Sequence, residues 1–403
     1  MVDNVKGLRD FIGKEAVMRQ ETLNDIKEIF NEFGYEPIET PALEYLSIFI
    51  NKAGPEVEEQ LYSLEDKKGE KLALRPEHTI SKMRVISGNK SLVFPLKTYS
   101  VGAVWRYEDP RKGRWREFIQ ADIDVVGSSN LRYDAEVIAC LDAALKKIGM
   151  GNYIIKISSR KILQSILDEL DTSPDASVQV FREVDKKDKI GIDEVTNRVS
   201  ELIGGEKADK IRAYLSEEIV PDNEGYNETK KIMEYLNNEF GIKNVKFDIS
   251  LVRGQDYYDG MIFEIASMDD AYKGLVFAGG GRYDRLSKKF ESNFPIVGGS
   301  LGFDVIMEIL KAKTPVEDFE EKYCVINIDS MQKATEIARK LREKGVKTDL
   351  LFEDVSLSKG LNYCNSKKIR YAVIVGKKDL EQGVITIRDL KEKADKKVKE
   401  SEL

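Results

Sequence analysis

The segment WRYEDPRKGRWREFIQADID, residues 105–124, consists of two stretches of alternating polar and apolar residues on either side of a loop that contains proline and glycine. Period-two alternation around such a loop is typical of two antiparallel strands joined as a hairpin. On such a strand Arg106 and Glu108 share one face of the sheet. The segment therefore predicts an antiparallel sheet whose hairpin carries charge.

The same hairpin is strongly basic. Its cationic residues are Arg106, Arg111, Lys112, Arg114 and Arg116. Guanidinium groups on both arms of a loop are suited to binding phosphate with two hydrogen bonds each. Phe118 shares a face with Arg114 and Arg116, so its ring could stack on a nucleobase while the arginines hold the phosphates. A solvated charged hairpin is the alternative, and this segment alone leaves the two interpretations equally open.

The flanking sequence extends the sheet and adds helices. Apolar residues recur at helical spacing from Glu15 to Phe33, and again in DAEVIACLDAALKKIG, residues 134–149. KLALRP (71–76) and LKTYSVGAVWRYE (96–108) alternate and are rich in residues that favour strands. These patterns predict an α+β fold in which helices flank an antiparallel sheet.

The distribution of these patterns predicts two domains. We expect a first domain over residues 1–315, with a charged, mostly helical insertion at about 160–240 between two strand-rich blocks. The acidic run VEDFEEK (316–322) indicates a linker. Beyond it, over residues 322–403, strands and helices alternate, which predicts a small α/β domain with a largely parallel sheet.

Composition narrows the classes of function. The 403 residues include 64 basic and 71 acidic side chains, so the net charge of -7 does not point to a polyanionic partner, although a local basic patch remains compatible with one. Three widely spaced cysteines and one histidine exclude an ordinary Cys/His zinc site and a disulfide framework. Any metal is therefore expected to be a hard cation such as Mg²⁺ arriving with a nucleotide. The chain has no signal-peptide-like or membrane-spanning run, and we expect a cytosolic protein.

The single histidine, His78, lies in LALRPEHTISKMR, residues 72–84. Its ordinary pKa near 6.5 makes it titratable at physiological pH, which raises the question of whether it is a catalytic base. A packed or hydrogen-bonded residue without a catalytic role is the interpretation we favour.

Two further segments are polar where a strand is expected to be apolar. LVRGQDYYDG (251–260) places an arginine, a carboxylate and two tyrosines in a strand pattern, for which an exposed edge strand is the alternative. AGGGRYD (278–284) contains three glycines, which allow the backbone to approach a ligand closely, although a simple turn is the commoner explanation for such a cluster.

Taken together, these motifs resemble the class II aminoacyl-tRNA synthetases, and specifically the histidyl-tRNA synthetase family. The resemblance covers nearly the whole chain. It includes KGLRDF (6–11), IETPALE (38–44), LRPEHT (74–79), the hairpin segment, LVRGQDYYDG and AGGGRYD, together with RYAVIVGKKDLEQGVITIRDL (370–390) in a C-terminal block similar to an anticodon-binding domain.

The resemblance implies an activity and a set of site residues. The activity is ATP-dependent conversion of L-histidine to histidyl-adenylate, followed by transfer to the 3′ end of histidine tRNA. Arg106 and Arg253 are implied at the α-phosphate as catalytic groups, and Mg²⁺ is expected to accompany ATP. The implied ATP-binding residues are Arg106, Glu108, Arg114 and Phe118. The implied histidine-binding residues are Glu77, His78, Thr79, Arg106, Gln120, Asp124, Arg253, Tyr257, Tyr258 and Tyr283, with His78 carried along by its position in the segment.

One motif departs from the family pattern. In VGGSLGFDVIMEIL (297–310) Val305 stands where the third class II motif has an arginine that holds the γ-phosphate. Arg114, Arg282 or Mg²⁺ is expected to compensate. The departure leaves open a noncatalytic relative, the histidine-sensing regulatory subunit of ATP phosphoribosyltransferase, and more remotely an unrelated ATP-dependent ligase.

The resemblance also implies partners. A homodimer through the IETPALE region and a contact of the helical insertion with the tRNA acceptor arm are expected. The basic stretches SKGLNYCNSKKIRY (358–371) and DLKEKADKKVKE (389–400) are expected to contact the anticodon stem, although a solvated charged face explains the second equally well.

Overall fold

The chain folds as two units, Met1–Ala312 and Lys313–Leu403. The computed structural model describes residues 3–53, 59–111, 113–252, 258–313, 319–328, 330–353 and 355–402. In the first unit the described strands are β1 (Glu36–Pro37), β2 (Leu43–Tyr45), β3 (Ser63–Glu65), β4 (Lys71–Leu74), β5 (Leu96–Trp105), β6 (Glu117–Val126), β7 (Tyr153–Ser159), β8 (Val245–Phe247), β9 (Met261–Ser267), β10 (Val276–Arg282) and β11 (Ile296–Gly302).

Helices of the first unit surround these strands. They are α1 (Gly13–Glu32), α2 (Leu46–Ala53), α3 (Thr79–Gly88), α4 (Leu131–Lys147), α5 (Arg160–Glu169), α6 (Pro174–Val184), α7 (Lys187–Ile190), α8 (Ile192–Ile203), α9 (Gly205–Leu215), α10 (Glu224–Asn238), α11 (Asp284–Lys288) and α12 (Phe303–Lys313), with a short 3-10 helix at Asp270–Tyr272.

Eight strands form one large sheet in the order β1-β5-β6-β11-β10-β9-β7-β8. The six central strands pair antiparallel, so the predicted α+β class with an antiparallel sheet is confirmed. The outer pairs β1–β5 and β7–β8 are parallel. Parallel neighbours need a long crossover, and helices α5 to α10 supply it between β7 and β8.

The predicted hairpin is formed by β5 and β6, and β6 lies inside the sheet between β5 and β11. Its odd-numbered residues Ile119, Ala121, Ile123 and Val125 belong to the main apolar core, which α1, α4 and α12 cover on that face. Its even-numbered residues face the opposite side of the sheet, because successive side chains of a strand alternate.

The helical segment between β7 and β8 has a core of its own. Ile162 and Leu167 of α5, Val180 of α6 and Val199 of α8 are buried together with residues of α9. Ile249 and Val252, which follow β8, complete this cluster. The segment therefore packs as a subdomain on the β7–β8 side of the sheet.

Asp304, at the start of α12, fastens the N-terminal segment to the sheet. Its Oδ1 accepts hydrogen bonds from Arg9 Nη2 at 2.7 Å and from Arg19 Nη1 at 2.8 Å. Its Oδ2 accepts the backbone N–H of Ile119, at 2.8 Å. This buried carboxylate explains why the sequence carries arginine in KGLRDF and aspartate after Phe303: together they hold the chain start, α1 and β6 in fixed relation.

A separate sheet, β2-β4-β3, has one apolar face. Leu43 pairs with Leu74, and both Tyr45 and Leu64 pair with Leu72, so these side chains lie on the same side. Leu43, Tyr45 and Leu64 are exposed by 40%, 60% and 45%.

The second unit contains β12 (Glu320–Asn327), β13 (Thr348–Leu351), β14 (Ile369–Val375), β15 (Val384–Asp389) and β16 (Ala394–Lys399), with α13 (Met331–Glu343), α14 (Leu357–Ser366), α15 (Lys377–Glu381) and a 3-10 helix at Glu400–Glu402. Strand β12 pairs parallel with β13 and β14. Strands β15 and β16 pair antiparallel, so the prediction of a largely parallel sheet is right for three strands and wrong for the last two. These two strands follow short connections, which antiparallel neighbours allow.

Within the described residues, no helix is both long enough and apolar enough to cross a lipid bilayer.

Candidate active site

The face of the large sheet opposite the main core carries a cleft of about 910 Å³. Eight of the implied ATP- and histidine-binding residues line it: Glu77, Thr79, Arg106, Arg114, Gln120, Asp124, Tyr258 and Tyr283. Arg253 and Tyr257 lie outside the described residues, as does Lys112. The other three implied site residues, His78, Glu108 and Phe118, are not among the lining residues.

The floor of the cleft is formed by directly paired residues of three neighbouring strands, β5, β6 and β11. Asp124 pairs with Thr98 and Gly298, Asp122 pairs with Ser100 and Ser300, and Gln120 pairs with Gly102 and Gly302. Directly paired residues project from the same face of a sheet. Asp124, Asp122 and Gln120 therefore form one polar stripe along the cleft floor, and Phe118 continues the same face of β6 beyond it.

At one end of this stripe Asp124 is buried in a polar cluster. Its two carboxylate oxygens accept hydrogen bonds from the Tyr283 hydroxyl and from the Lys82 ammonium group. Lys82 is only 1% exposed. A Cβ at Gly298 would overlap both the Asp124 carboxylate and the Tyr283 hydroxyl, so glycine is needed at this position for the two groups to meet. Two aromatic rings, Tyr258 and Tyr283, pack edge to face beside the cluster, with centroids 5.9 Å apart.

Glu77 lies on the wall above the floor and holds the first turn of α3. Its Oε2 accepts the Thr79 N–H at 2.5 Å, and its Oε1 accepts the Ile80 N–H at 2.9 Å. Burial raises the pKa of Glu77, while these backbone hydrogen bonds act against the increase. The carboxylate is thus held rigidly at the cleft wall but is poorly solvated.

At the opposite end the hairpin supplies cations. Arg106 Nε donates to the Pro76 carbonyl at 2.9 Å, and its guanidinium carbon lies 5.2 Å from the centre of the Phe118 ring. No ion pair to Arg106 occurs within the described part of the chain. Its other N–H groups are therefore fixed in position and able to bind an anion.

The remaining hairpin arginines have different surroundings. Arg114 forms an ion pair with Glu108 at 3.2 Å, and both Arg111 and Arg114 line the cleft. Arg116 is buried instead: its Nε donates to the Glu108 carbonyl at 3.0 Å, and its guanidinium packs on the Tyr107 ring. Of the four arginines in the hairpin, Arg116 is the structural one.

Val305 lines the cleft beside Gly113 and Gly302, as expected for a residue in the place of the third-motif arginine. The expectation that Arg282 could compensate is wrong. Its guanidinium donates to Asp134 through Nε at 3.0 Å and Nη2 at 2.5 Å, and to Asp284 at 3.3 Å. Arg282 is buried by these contacts and fastens α4 to the end of β10. Of the two arginines expected to compensate for Val305, only Arg114 lines the cleft.

His78 is packed behind the cleft wall. It is 2% exposed, its Nε2 lies 3.3 Å from the Gly102 carbonyl oxygen, and it lines a separate cavity of about 170 Å³ together with Arg75 and Tyr99. Burial, reinforced by the nearby charges of Lys82 and Arg75, lowers the pKa of His78 to about 3. His78 is not among the residues that line the large cleft. Its buried, neutral imidazole therefore supports neither a catalytic role nor the contact with substrate histidine that its segment implied.

Sequence reasoning missed several cleft residues. Asp122 and Ser300 line the floor, and Asp185 and Lys189 reach the cleft from the helical subdomain. Asp122 could have been found, because it alternates with Gln120 and Asp124 on one strand. Lys82 gave no such signal: it lies one helical turn after His78, and only the tertiary fold brings it to Asp124. Lys189 follows Asp188, whose ion pair with Lys156 at 2.7 Å ties α7 to the sheet.

Comparison with solved structures identifies the class of fold. A histidyl-tRNA synthetase from Nostoc sp. superposes with a TM-score of 0.85 at 24% identity, over 98% of this chain and 96% of that one. A Bacillus halodurans protein described as an ATP phosphoribosyltransferase regulatory subunit/histidyl-tRNA synthetase gives a TM-score of 0.78 at 26% identity, over 90% and 96% of the two chains. The fold is therefore that of an aminoacyl-tRNA synthetase.

Sequence relatives specify the family. The family model of histidyl-tRNA synthetase matches residues 7–306, and the model of the anticodon binding domain matches residues 322–403. Histidine-tRNA ligase of Pyrococcus horikoshii is 33% identical over 97% of this chain and 95% of its own length. The corresponding ligase of Pyrobaculum islandicum is 34% identical over 96% and 93%. This chain belongs to the histidyl-tRNA synthetase family.

The burial of His78 predicts that this residue does not titrate near neutral pH. Because it is the only histidine of the chain, its imidazole signals can be followed by NMR between pH 8 and pH 5 without overlap from other histidines. We expect its chemical shifts to stay at the neutral values, since its folded pKa is about 3. The unfolded chain takes up a proton near pH 6.5, so stability from this group is present above that pH and is lost as the pH falls toward 3. A resonance that titrates near pH 6.5 in the folded protein would contradict the buried placement.

Proposed function

We propose that the protein is a histidine-tRNA ligase that converts L-histidine and ATP to histidyl-adenylate and pyrophosphate, and then transfers the histidyl group to the 3′ end of histidine tRNA. The observation that carries this proposal is the polar stripe of β6. It begins at a buried carboxylate with tyrosine partners, Asp124 and Tyr283, and ends at a fixed arginine beside an aromatic ring, Arg106 and Phe118.

The Asp124 end is suited to an imidazole. A neutral imidazole has one N–H donor and one ring nitrogen acceptor, and Asp124 and the two tyrosines present an acceptor and hydroxyl groups. A buried site of this kind rejects analogues strongly, because a side chain without the matching groups leaves buried polar atoms unpaired. Glu77, Thr79 and Gln120, farther along the cleft, are proposed to hold the α-amino group, and Tyr257 to join Tyr258 at the ring.

The Arg106 end is suited to the reacting phosphate. In the activation step the carboxylate oxygen of histidine forms a bond to the α-phosphorus of ATP, and the bond from that phosphorus to pyrophosphate breaks. The charge that builds up lies on phosphate oxygens, so fixed positive groups stabilise the transition state and no side-chain base is required. Arg106 is held for this by Pro76 and Phe118, and Arg253 is proposed as its partner by family resemblance.

The nucleotide is proposed to lie over the hairpin. Phe118 is placed to stack on the adenine, Glu108 to contact its edge, and Arg114 to contact the distal phosphates, where it compensates for Val305. Mg²⁺ is proposed to enter with ATP, bound by phosphate oxygens and water, which it prefers as ligands. When bound, it neutralises part of the phosphate charge.

The rest of the chain is proposed to hold tRNA. On this proposal the catalytic domain spans residues 1–315, the helical insertion at about 160–240 contacts the acceptor arm, and the domain over 322–403 contacts the anticodon stem. The anticodon binding domain match and the exposed lysines of β16 support the last assignment. Salt-sensitive binding is expected of such phosphate contacts.

A noncatalytic histidine-sensing subunit is the second candidate, since one similar structure is described as an ATP phosphoribosyltransferase regulatory subunit/histidyl-tRNA synthetase. It is not favoured. The curated relatives with more than 30% identity are named ligases, and the match to an anticodon binding domain extends to the end of this chain.

The protein is also proposed to act as a homodimer. The support is the exposed apolar face of the β2-β4-β3 sheet, in the region that resembles the dimer-forming first motif. Apolar faces of this kind on a soluble domain mark interaction surfaces.

Pyrophosphate exchange tests the activity. With Mg²⁺ and without tRNA, we expect labelled pyrophosphate to enter ATP only when histidine is present, and not with other amino acids. Arg106→Ala is expected to reduce the exchange turnover by roughly 100-fold or more, because one fixed donor to the reacting phosphate is lost. Arg132→Ala is the matched control: Arg132 is an exposed arginine paired with Glu239 at 2.9 Å, and its removal is expected to leave exchange unchanged.

The outcomes separate the candidates. Absence of exchange together with intact histidine binding by calorimetry would favour the regulatory candidate, and exchange with a different amino acid would indicate another ligase.

Light scattering tests the dimer. We expect twice the chain mass of 45.8 kDa for the wild-type protein. The double substitution Leu43→Asp and Tyr45→Asp is expected to give monomers, because it places charge on the apolar face of the small sheet. Val93→Asp, at a residue that is 81% exposed elsewhere, serves as the control and is expected to stay dimeric. A wild-type mass of one chain at all concentrations would disprove the dimer.

A further inference from the structure

Lys82 is a buried cation behind the cleft to which the activity described so far gives no role. It is only 1% exposed, and it is not among the described residues that line the cleft. Its ammonium group donates to Asp124 Oδ2, while the Tyr283 hydroxyl donates to Oδ1 of the same carboxylate. Asp124 does line the cleft. The carboxylate proposed to meet the imidazole is therefore one half of a buried ion pair.

The position of Lys82 in α3 is one where an apolar residue would be expected. Its neighbours in the chain, Ser81 and Met83, are both buried. Burying an ammonium group costs free energy unless the group is paired, and Asp124 supplies the partner. Apolar residues of similar volume are often as stable as a buried ion pair, so stability alone does not account for a charge in this position.

The ion pair determines the charge that a ring in this pocket would meet. A buried carboxylate by itself favours a cation beside it, because opposite charges attract strongly where water is excluded. The ammonium group of Lys82 opposes that attraction. Its charge acts on the neighbouring groups as well. Burial is the main cause of the low pKa of His78, and Lys82 is the largest of the charges that add to it. Burial raises the pKa of Asp122, and Lys82 is the largest of the charges that act against the increase.

Other titratable groups of the described chain face this cluster from the surrounding elements. They are Asp122 on β6, Glu77 and His78 before α3, Arg75 and Arg106 at the cleft wall, and Tyr258. From α2 and α11, the apolar residues Phe49 and Leu286 pack in the same cluster as α3. These groups act equally on two ligands that differ only in the ring, so such a pair of ligands isolates the effect of ring charge.

We propose that Lys82 makes the Asp124 pocket specific for an uncharged ring: its charge offsets that of Asp124, so the pocket binds the imidazole form of histidine and discriminates against imidazolium and other cationic side chains. The inference rests on the proposed function, because it requires the substrate ring to meet Asp124. Lys82 acts through Asp124 and does not itself contact the substrate.

The pH dependence of binding tests this role. Triazolylalanine has the shape of histidine, but its ring stays neutral in weak acid. The dissociation constants of both ligands are to be measured by calorimetry at pH 8 and pH 5.5. For the wild type we expect histidine to weaken about tenfold relative to triazolylalanine, since about a tenth of its rings are neutral at pH 5.5 when the ring pKa is near 6.5. His78, with a pKa of about 3, does not contribute.

Lys82→Met is the informative variant. We expect the relative weakening to fall below about threefold, because Asp124 without its cation favours imidazolium. Lys97→Met is the matched control. Lys97 is a partly buried lysine paired with Glu136 at 2.6 Å, and it lies opposite Val125 on the core side of the sheet, so the wild-type response is expected to persist.

Three results would overturn the proposal: a wild type without the tenfold weakening, a Lys82→Met variant that retains it, or a Lys97→Met variant that loses it to the same extent. Should Lys82→Met fail to fold because Asp124 is left without its cation, Lys82→Gln carries the same comparison. Glutamine keeps N–H donors for Asp124 and removes only the charge.

Binding at pH 8 separates this inference from the proposed function. If the wild type binds no histidine at that pH, the proposed function fails and the role of Lys82 with it. If the wild type binds histidine and supports pyrophosphate exchange, but Lys82→Met shows the wild-type response to pH, the proposed function stands and the role of Lys82 alone is refuted.

Discussion

The register of β6 is the constraint on which both the fold and the cleft depend. Its odd-numbered residues are buried in the core beneath α1 and α4, and Gln120, Asp122 and Asp124 on its other face form the polar stripe of the cleft. A slip of one residue against β5 or β11 would exchange the two sets, placing carboxylates in the core and isoleucines in the cleft. The large energetic penalty of that exchange fixes the order of chemical groups along the cleft, from Asp124 to Phe118.

The electrostatics of the cleft follow from burial. Asp124 is bound inside the protein by Lys82 and Tyr283. Burial raises the pKa of Asp122 and of Glu77, and no ion pair to either carboxylate occurs among the described residues. Arg106, at the other end, has its guanidinium held by a carbonyl and a ring, and no carboxylate of the described residues pairs with it. Acceptors at one end and a fixed guanidinium at the other match a substrate that carries an ammonium group and whose carboxylate attacks a phosphate.

Secondary structure and the faces of single strands could be predicted from the sequence, because they depend on residues that are close together in the chain. Alternation predicted the β5–β6 hairpin and the shared face of its residues, and the position of His78 in its segment gave no reason to expect catalysis. Pairings between distant residues were not available in this way. Arg282 was considered for the phosphate, but Asp134, 148 residues earlier in the chain, binds it in the core. The contact of Lys82 with Asp124 likewise spans 42 residues and depends on how α3 packs on the sheet. The antiparallel end of the second sheet was missed because alternating strands and helices do not reveal where a crossover gives way to a hairpin.

The central claim is that the order of groups along β6 is the order in which the protein binds the parts of its activated substrate. A crystal structure with a nonhydrolysable histidyl-adenylate analogue tests it most directly. We expect the imidazole against Asp124 and Tyr283, the ammonium group at Glu77, Thr79 and Gln120, the phosphate mimic at Arg106 and the adenine on Phe118. An analogue bound in the reverse direction, or with its ammonium group away from Glu77, would contradict this order.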